Sequence, residues 1–402
     1  MRLLVVGVRW PPETFIRQRL ERLSALGVDV TVASSNRMSK QGHGSKIRVF
    51  SVPRWDDPVV IAAGRLFIDA LLLSARAPKR WSPLLTGLRG GGTTPKVKFG
   101  HLRSRLPIAV EVPDVVHFEW NSWAVDYLPM YDVWDCPVVI SCRGSQIHVA
   151  PHLPGSQPFV DKLRVTFEKA AAVHCVSKAI AREASQYGLS PRKVWVIPPA
   201  VDPNFFRPLT EPPPPNNVFR LVTTGSLIWR KGYEYGLLAI RQLIDRGVPA
   251  HLDIIGNGPE LQRLQYTVAD LRLQHHVQLH GSRSPAQVRD LLRCADAFLL
   301  ASVAEGISNA ALEAMSCELP VVTANVGGMR EAVEDGVNGY VVAPRSPDEM
   351  ASALLQLALD DDVRRAFGRS ARETVLRQFS LQKQTDRFLD LYGAVTGVGE
   401  SR

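Results

Sequence analysis

Ser302-Val-Ala-Glu305-Gly306-Ile307-Ser308-Asn309-Ala-Ala-Leu-Glu313-Ala-Met315 decides how this chain is read, because it sets two carboxylates eight positions apart around a glycine turn. Upstream, Cys294 to Leu300 is apolar and strand-like; downstream, the Ala, Leu and Met run after Ser308 favours a helix. A helix N-terminus is a ready anion site, so a diphosphate can sit there while Glu305 and Glu313 accept hydrogen bonds from hydroxyls on either side. Asn309, Glu313 and Ser316 recur at helical spacing, a polar stripe expected to line a cleft. The bland reading makes Glu305 a loop acid and Glu313 a solvated helix residue. The neighbourhood argues against it. Leu319 to Thr323 reads as a buried strand, and Val326-Gly327-Gly328-Met-Arg330-Glu331 as a second glycine turn opening a second helix. Two such units in tandem describe the carboxyl edge of an open α/β sheet, where ligands bind.

The chain has 402 residues, enough for two domains, with 45% hydrophobic and 22% charged residues as in globular proteins. Five cysteines, Cys136, Cys142, Cys175, Cys294 and Cys317, are odd in number and lack CxxC spacing. They read as reduced, buried packing residues, which fits a cytoplasmic setting. Met1 to Val8 is a first strand rather than a signal peptide, and Val59 to Ala75, interrupted by Arg65 and Asp69, does not read as a membrane span.

The net charge of +9 is unevenly spread. Between Asp69 and Glu111 there is no acid, while Arg76, Lys79, Arg80, Arg89, Lys96, Lys98, Arg103 and Arg105 are all basic. Two readings stand open: a solvated loop, loosened at Gly90-Gly91-Gly92, or a patch for an anionic membrane face or a diphosphate-bearing lipid, with Trp81, Leu84 and Leu88 as shallow anchors. Nucleic acid is not expected, since no zinc-finger, recognition-helix or RNA-stacking pattern accompanies the charge.

Strand and helix alternate along the first half. Leu3–Val8, Val28–Ala33, Pro113–Phe118, Pro137–Cys142 and Val194–Ile197 read as strands, and Thr14–Leu26, Phe159–Ala172 and Ser177–Gly188 as helices. Pro198-Pro199 and Pro212 to Pro215 bracket a stiff connection. The second half repeats the pattern, with strands at Arg220–Thr224, His251–Ile255, Val277–Leu279, Ala297–Leu300, Pro320–Val322 and Gly339–Val342 and a last helix over Phe379–Val395. Asp360-Asp361-Asp362 reads as a helix start, not a metal site. The alternation predicts doubly wound parallel sheets in both halves.

From Val194 onward the chain resembles glycosyltransferase family 4, the retaining nucleotide-sugar enzymes of GT-B fold. The resemblance rests on Val196-Ile-Pro-Pro-Ala-Val-Asp202, Gly225-Ser-Leu-Ile-Trp-Arg-Lys231-Gly232, Ile255-Gly256-Asn-Gly258-Pro-Glu260, Glu305 to Glu313, Pro320-Val-Val and Gly327-Gly328 with Glu331. Pro12 to Ile16, Pro113 to His117 and Val176-Ser177-Lys178 carry it, less specifically, through the first half. It implies two Rossmann-like domains facing a cleft: 1–200 binding the acceptor, 201–378 the nucleotide-sugar, and a helix and tail at 379–402 packing back toward the first domain.

Residue by residue, the resemblance implies that Lys231 contacts the diphosphate, Glu313 the ribose hydroxyls and Glu305 the donor sugar, with the Gly306, Ile307, Ser308 and Asn309 turn beneath the phosphates. Gly256, Gly258 and Arg283 are candidates for packing base and ribose, or plain turn residues. Three departures matter. Ser226 stands where the family often has arginine; Arg230 compensates for it or points to solvent. Trp10-Pro11-Pro12-Glu13 replaces a glycine-rich loop. Arg143-Gly144 occupies a loop where the family often has histidine, with Gln146 for a nearby Asp. Glu13, Arg143, Gly144 and His117 are thus the acceptor-side candidates, His117 equally a packed strand-end residue. The activity implied is transfer of a sugar to a saccharide or lipid-linked hydroxyl with retention, in polysaccharide or glycolipid assembly, at the inner membrane face or in the cytoplasm. No cofactor or metal is expected. A nucleotide-sugar epimerase or hydrolase, or a non-catalytic nucleotide-sugar-binding subunit, is the alternative.

Overall fold

The computed structural model describes residues 1–36, 46–53, 59–88, 94–211 and 217–397. Short Val-, Ile- and Leu-rich runs, apolar on both faces, form β1 (Arg2–Val8), β2 (Asp29–Ser34), β3 (Arg48–Ser51), β4 (Val115–Phe118), β5 (Val138–Cys142), β6 (Ala172–Cys175) and β7 (Val194–Val196). They continue with β8 (Phe219–Thr224), β9 (Ala250–Ile255), β10 (Val277–Gly281), β11 (Ala297–Leu300), β12 (Val321–Ala324) and β13 (Gly339–Val342). The chain divides into two compact units: Met1–Val176 with Ala181–Ile197 and Thr385–Arg402, and Pro198–Gln384 with Ser177–Ile180.

In the first unit the strand order is β3-β2-β1-β4-β5-β6-β7, every pairing parallel. Its topological switch point, where successive strands turn from one side of β1 to the other, lies between β1 and β4. Leu3, Val5 and Val115 pack under helix Thr14–Ala25 through Ile16, Leu20 and Leu23, and Phe388, Leu391 and Tyr392 of helix Leu381–Thr396 join that core.

In the second unit the order is β10-β9-β8-β11-β12-β13, again all parallel, with the switch point between β8 and β11. Alternation explains how this sheet is covered on both sides. Leu221, Leu252, Ile254, Leu299 and Val322 enter one core cluster, whereas their neighbours Val222, Ile255, Phe298, Leu300 and Val321 enter the other.

Several expectations need correction. Ala172, read as the end of a helix, instead opens strand β6, which the sequence reading did not assign, and β3 carries too little pattern in four residues to stand out. The second glycine turn opens only a short 3-10 turn, Met329–Glu331. The basic tract is not a loop: it folds as helices Trp81–Thr86 and Pro95–Ala109, and buries Arg80, Arg103, Arg105 and the supposed anchor Leu84. Its Arg89 and Gly90 to Gly92, like the connection at Pro212 to Pro215, lie outside the described residues. The cysteines are free thiols, but Cys294 is exposed and Cys136 only half-buried. Asp360 does start a helix, its side chain accepting from Val363 N at 2.9 Å. Among the described residues no helix is long and apolar enough to cross a membrane.

Candidate functional site

The switch point of the second unit brings the two ends of the sequence signal together. Beyond β8 the chain makes a 3-10 turn over Trp229–Lys231, tied down where Val303 N donates to the Arg230 carbonyl at 2.8 Å. Beyond β11 it runs to Glu305. Lys231 Nζ then donates to Glu305 Oε2 at 2.9 Å, each side chain 16% exposed, so the ion pair bridges the crevice between the two diverging halves of the sheet. Tyr233 lies beside it and donates its hydroxyl to the Gly225 carbonyl at 3.0 Å. Arg230 is half-buried, and among the described residues its guanidinium has no protein partner; Ser226 and Arg283 are exposed.

Backbone approach, more than side chains, builds the floor. A Cβ on Gly256, whose φ is 151°, would stand 1.8 Å from the Gly225 carbonyl oxygen, and one on Gly258 would stand 2.4 Å from that of Leu227. Gly225 N donates to Ile255 O at 2.9 Å and Gly256 N to Gly281 O at 3.0 Å, which laces the loops after β8, β9 and β10 together. Gly327, at φ 52°, passes so close to Glu305 that a Cβ would meet its carbonyl oxygen at 1.6 Å. These glycines are required by close approach whatever ligand the floor holds.

Helix Asn309–Ser316 begins with Ser308 as N-cap, its Oγ accepting from Ala311 N at 3.4 Å. Gly306 and Ile307 are buried, and Ile307 belongs to the core. The predicted polar stripe holds only in part. Ser316 does not line a cleft, since it is fully buried and donates to the Phe206 carbonyl at 2.6 Å. Ser302 Oγ and Asn309 Oδ1 are buried without a hydrogen-bond partner among the described residues. Glu313 is half-buried, and burial pushes its carboxyl up to about 7.

The first unit places a charged cluster at its own switch point. Glu119, directly after β4 and fully buried, accepts from Arg143 Nη2 at 2.9 Å and from Arg19 Nη2. Burial alone would raise the Glu119 carboxyl, but the charges of Arg19, His117 and Arg143 hold it below the usual range. Arg143 also lies over the rings of Phe15 and Trp120, at 5.0 and 5.7 Å. His117 fits the packed reading. It is fully buried, bonded to Tyr392 Oη at 2.6 Å and Ser141 Oγ at 2.8 Å, and burial pushes its imidazole down to about 3. Gly144 opens the short helix Gly144–His148, and Glu13 is an exposed residue ahead of helix Thr14–Ala25. Glu119 and Arg19 escaped the sequence reading. A lone acid directly after a strand and an arginine within an otherwise apolar helix face were the signals.

Comparison with known families places this geometry. Residues 88–205 match the model "Glycosyltransferase Family 4" and residues 210–374 the model "Glycosyl transferases group 1". The chain belongs to glycosyltransferase family 4. Within the family, it is 32% identical over 182 residues to a D-inositol 3-phosphate glycosyltransferase of Corynebacterium jeikeium, covering 44% of this chain and 43% of that one. It is 32% identical over 145 residues to the N-acetyl-alpha-D-glucosaminyl L-malate synthase of Bacillus anthracis, covering 36% of this chain and 38% of that one. The chain thus spans less than half the length of these two curated relatives. Among solved structures, Anabaena Alr3699/HepE in complex with UDP superposes with a TM-score of 0.72 at 18% identity, covering 98% of this chain and 99% of that one. Sucrose-phosphate synthase from Thermosynechococcus elongatus does so with a TM-score of 0.74 at 17% identity, covering 99% and 100%. The family 4 chain has the GT-B fold of these structures.

Proposed function

We propose that the chain transfers a sugar from a nucleoside diphosphate sugar to an acceptor hydroxyl with retention. The observation that carries this reading is the Lys231–Glu305 pair at the β8/β11 switch point, just ahead of the helix that bears Glu313. Lysine and the Asn309 helix start oppose charge growing on the departing phosphate, and loss of one such preorganised donor costs about 3–4 kcal/mol in rate. Glu305 accepts from hydroxyls of the sugar and Glu313 from the vicinal diol of the ribose. In the step itself the bond from the anomeric carbon to the phosphate oxygen breaks, the acceptor oxygen bonds that carbon on the same face, and its proton passes to the leaving phosphate. Because the Anabaena structure of like fold holds UDP, and a second crystal of it UDP-glucose, uridine nucleotides head the donor panel.

Incubation with a panel of nucleotide-sugars, with and without saccharide and lipid-linked acceptors, tests the reading through nucleotide release and product NMR. Retained configuration and acceptor-dependent turnover support it; an inverted product, or release and isomerisation without acceptor, sinks it. Glu305→Ala should mainly lower turnover and Glu313→Ala mainly weaken nucleotide binding. We propose that no metal is needed, so turnover should survive chelation.

We further infer contact with an anionic membrane. Phe67, Ile68 and Leu71 of helix Val59–Arg76 are 66%, 56% and 56% exposed along one face, and the exposed bases Arg76 and Lys79 follow. Sedimentation with anionic vesicles at low and high salt tests it, and binding indifferent to anionic lipid would end it.

A further inference from the structure

Among the described residues of the first unit, one buried guanidinium is thinly satisfied. Arg105 is only 6% exposed, and among the described residues its single hydrogen bond runs to the Asp126 carbonyl at 3.3 Å, with no carboxylate paired to it. Burying an arginine so thinly satisfied is costly. The side chain lines a cavity of about 840 Å³ beside the carboxyl ends of β2 and β3, a volume within the usual range for small-molecule sites.

The same cavity gathers further bases. Lys98, His101 and Arg105 fall at i, i+3 and i+7 on helix Pro95–Ala109, hence on one face, and Lys162 comes from helix Gln157–Lys169 opposite. Asp126 is the one acid in the lining; it is exposed, and its carboxylate lies within electrostatic reach of Lys162, Arg105 and His101. Burial lowers the His101 imidazole, which sits beside three cations. Apart from Ser35 and Ser104 the remaining wall is apolar and aromatic, with Leu88, Leu128 and Trp123 among its members.

We propose that this cavity binds a phosphorylated amphiphile, its phosphate on Arg105, Lys98 and Lys162 and the first part of its alkyl chain against Leu88, Leu128 and Trp123. A planar, fixed-charge guanidinium suits two phosphate oxygens at once, and the lysines add point charges at the exposed end. The apolar wall offers a free phosphate nothing. The site lies wholly within the first unit and shares no residue with the proposed nucleotide-sugar site, so either assignment can fail alone.

Calorimetric titration of the full chain tests it with decyl phosphate below its micelle concentration, inorganic phosphate, and uncharged decyl maltoside. Decyl phosphate should bind at least about tenfold more tightly than either of the others. Arg105→Gln should weaken it by about tenfold or more, and the double variant Lys98→Glu, Lys162→Glu by a similar factor with a flatter salt dependence. UDP binding should not change in either variant. The double variant alters exposed residues and decides the matter if Arg105→Gln fails to fold. No decyl phosphate binding, equal binding of inorganic phosphate, or unchanged affinity in the double variant would overturn the assignment.

Discussion

Replacing Glu313 by glutamine should stabilise the free protein at pH 8 and leave it nearly unchanged at pH 4.5. Burial raises this carboxyl from 4.5 to about 7. The native state therefore holds a proton that the unfolded chain releases between those two values. Stability is intact below about pH 4.5, falls as pH rises, and has lost its full increment above about pH 7. At 1.36 kcal/mol per unit the shift corresponds to about 3 kcal/mol, and the half-buried setting trims the expected gain to roughly 1–3 kcal/mol. Glutamine keeps the shape without the charge. Urea midpoints of both proteins at the two pH values, without nucleotide, give the comparison. An equal difference between variant and wild type at pH 4.5 and pH 8 would refute the reasoning. The same carboxyl links to ligand: if ribose hydroxyls bind the ionised form, nucleotide affinity should rise between pH 6 and pH 8.

Three further outcomes are expected. Gly256→Ala should cost at least about 2 kcal/mol and weaken nucleotide binding, because its Cβ would stand 1.8 Å from a backbone oxygen at a φ that other residues avoid; a wild-type melting temperature would show that the loop yields. Glu119→Gln removes the one carboxylate between two buried arginines and should cost about 3–5 kcal/mol by chemical denaturation, a loss below 1 kcal/mol contradicting the account of that cluster. Arg230→Ala should raise the donor constant and lower turnover, and Ser226→Arg should partly restore both; wild-type kinetics in Arg230→Ala would leave Lys231 and the Asn309 helix start as the phosphate contacts.

The second unit was legible because its signals are local. Glycine turns, buried strands of Val and Leu, and the Glu305 to Glu313 spacing all act within a few residues, and their order along the chain matches the order around the switch point. What escaped depends on partners far apart in sequence. Ser316 looked polar and outward by period alone, yet the Phe206 carbonyl, 110 positions away, draws it inward. Glu119 and Arg19, 100 positions apart, gave no sign of each other. The basic tract misled for a related reason. Charge count favoured a loop, but helical structure buries Arg80, Arg103 and Arg105, and Arg80 Nη1 donates to Ala109 O at 3.0 Å.

The pairing of Lys231 with Glu305 also bears on what the second unit selects. A ligand that offers only phosphate competes for the lysine with Glu305, whose carboxylate is 16% exposed. Weakening this part-buried ion pair offsets some of what the new phosphate contact contributes. A ligand that offers phosphate and sugar hydroxyls together exchanges one ion pair for two satisfied groups. The proposed nucleotide-sugar should therefore bind more tightly than the bare nucleoside diphosphate, and Glu305→Gln, which removes the carboxylate competing for Lys231, should narrow the difference by tightening the nucleotide alone.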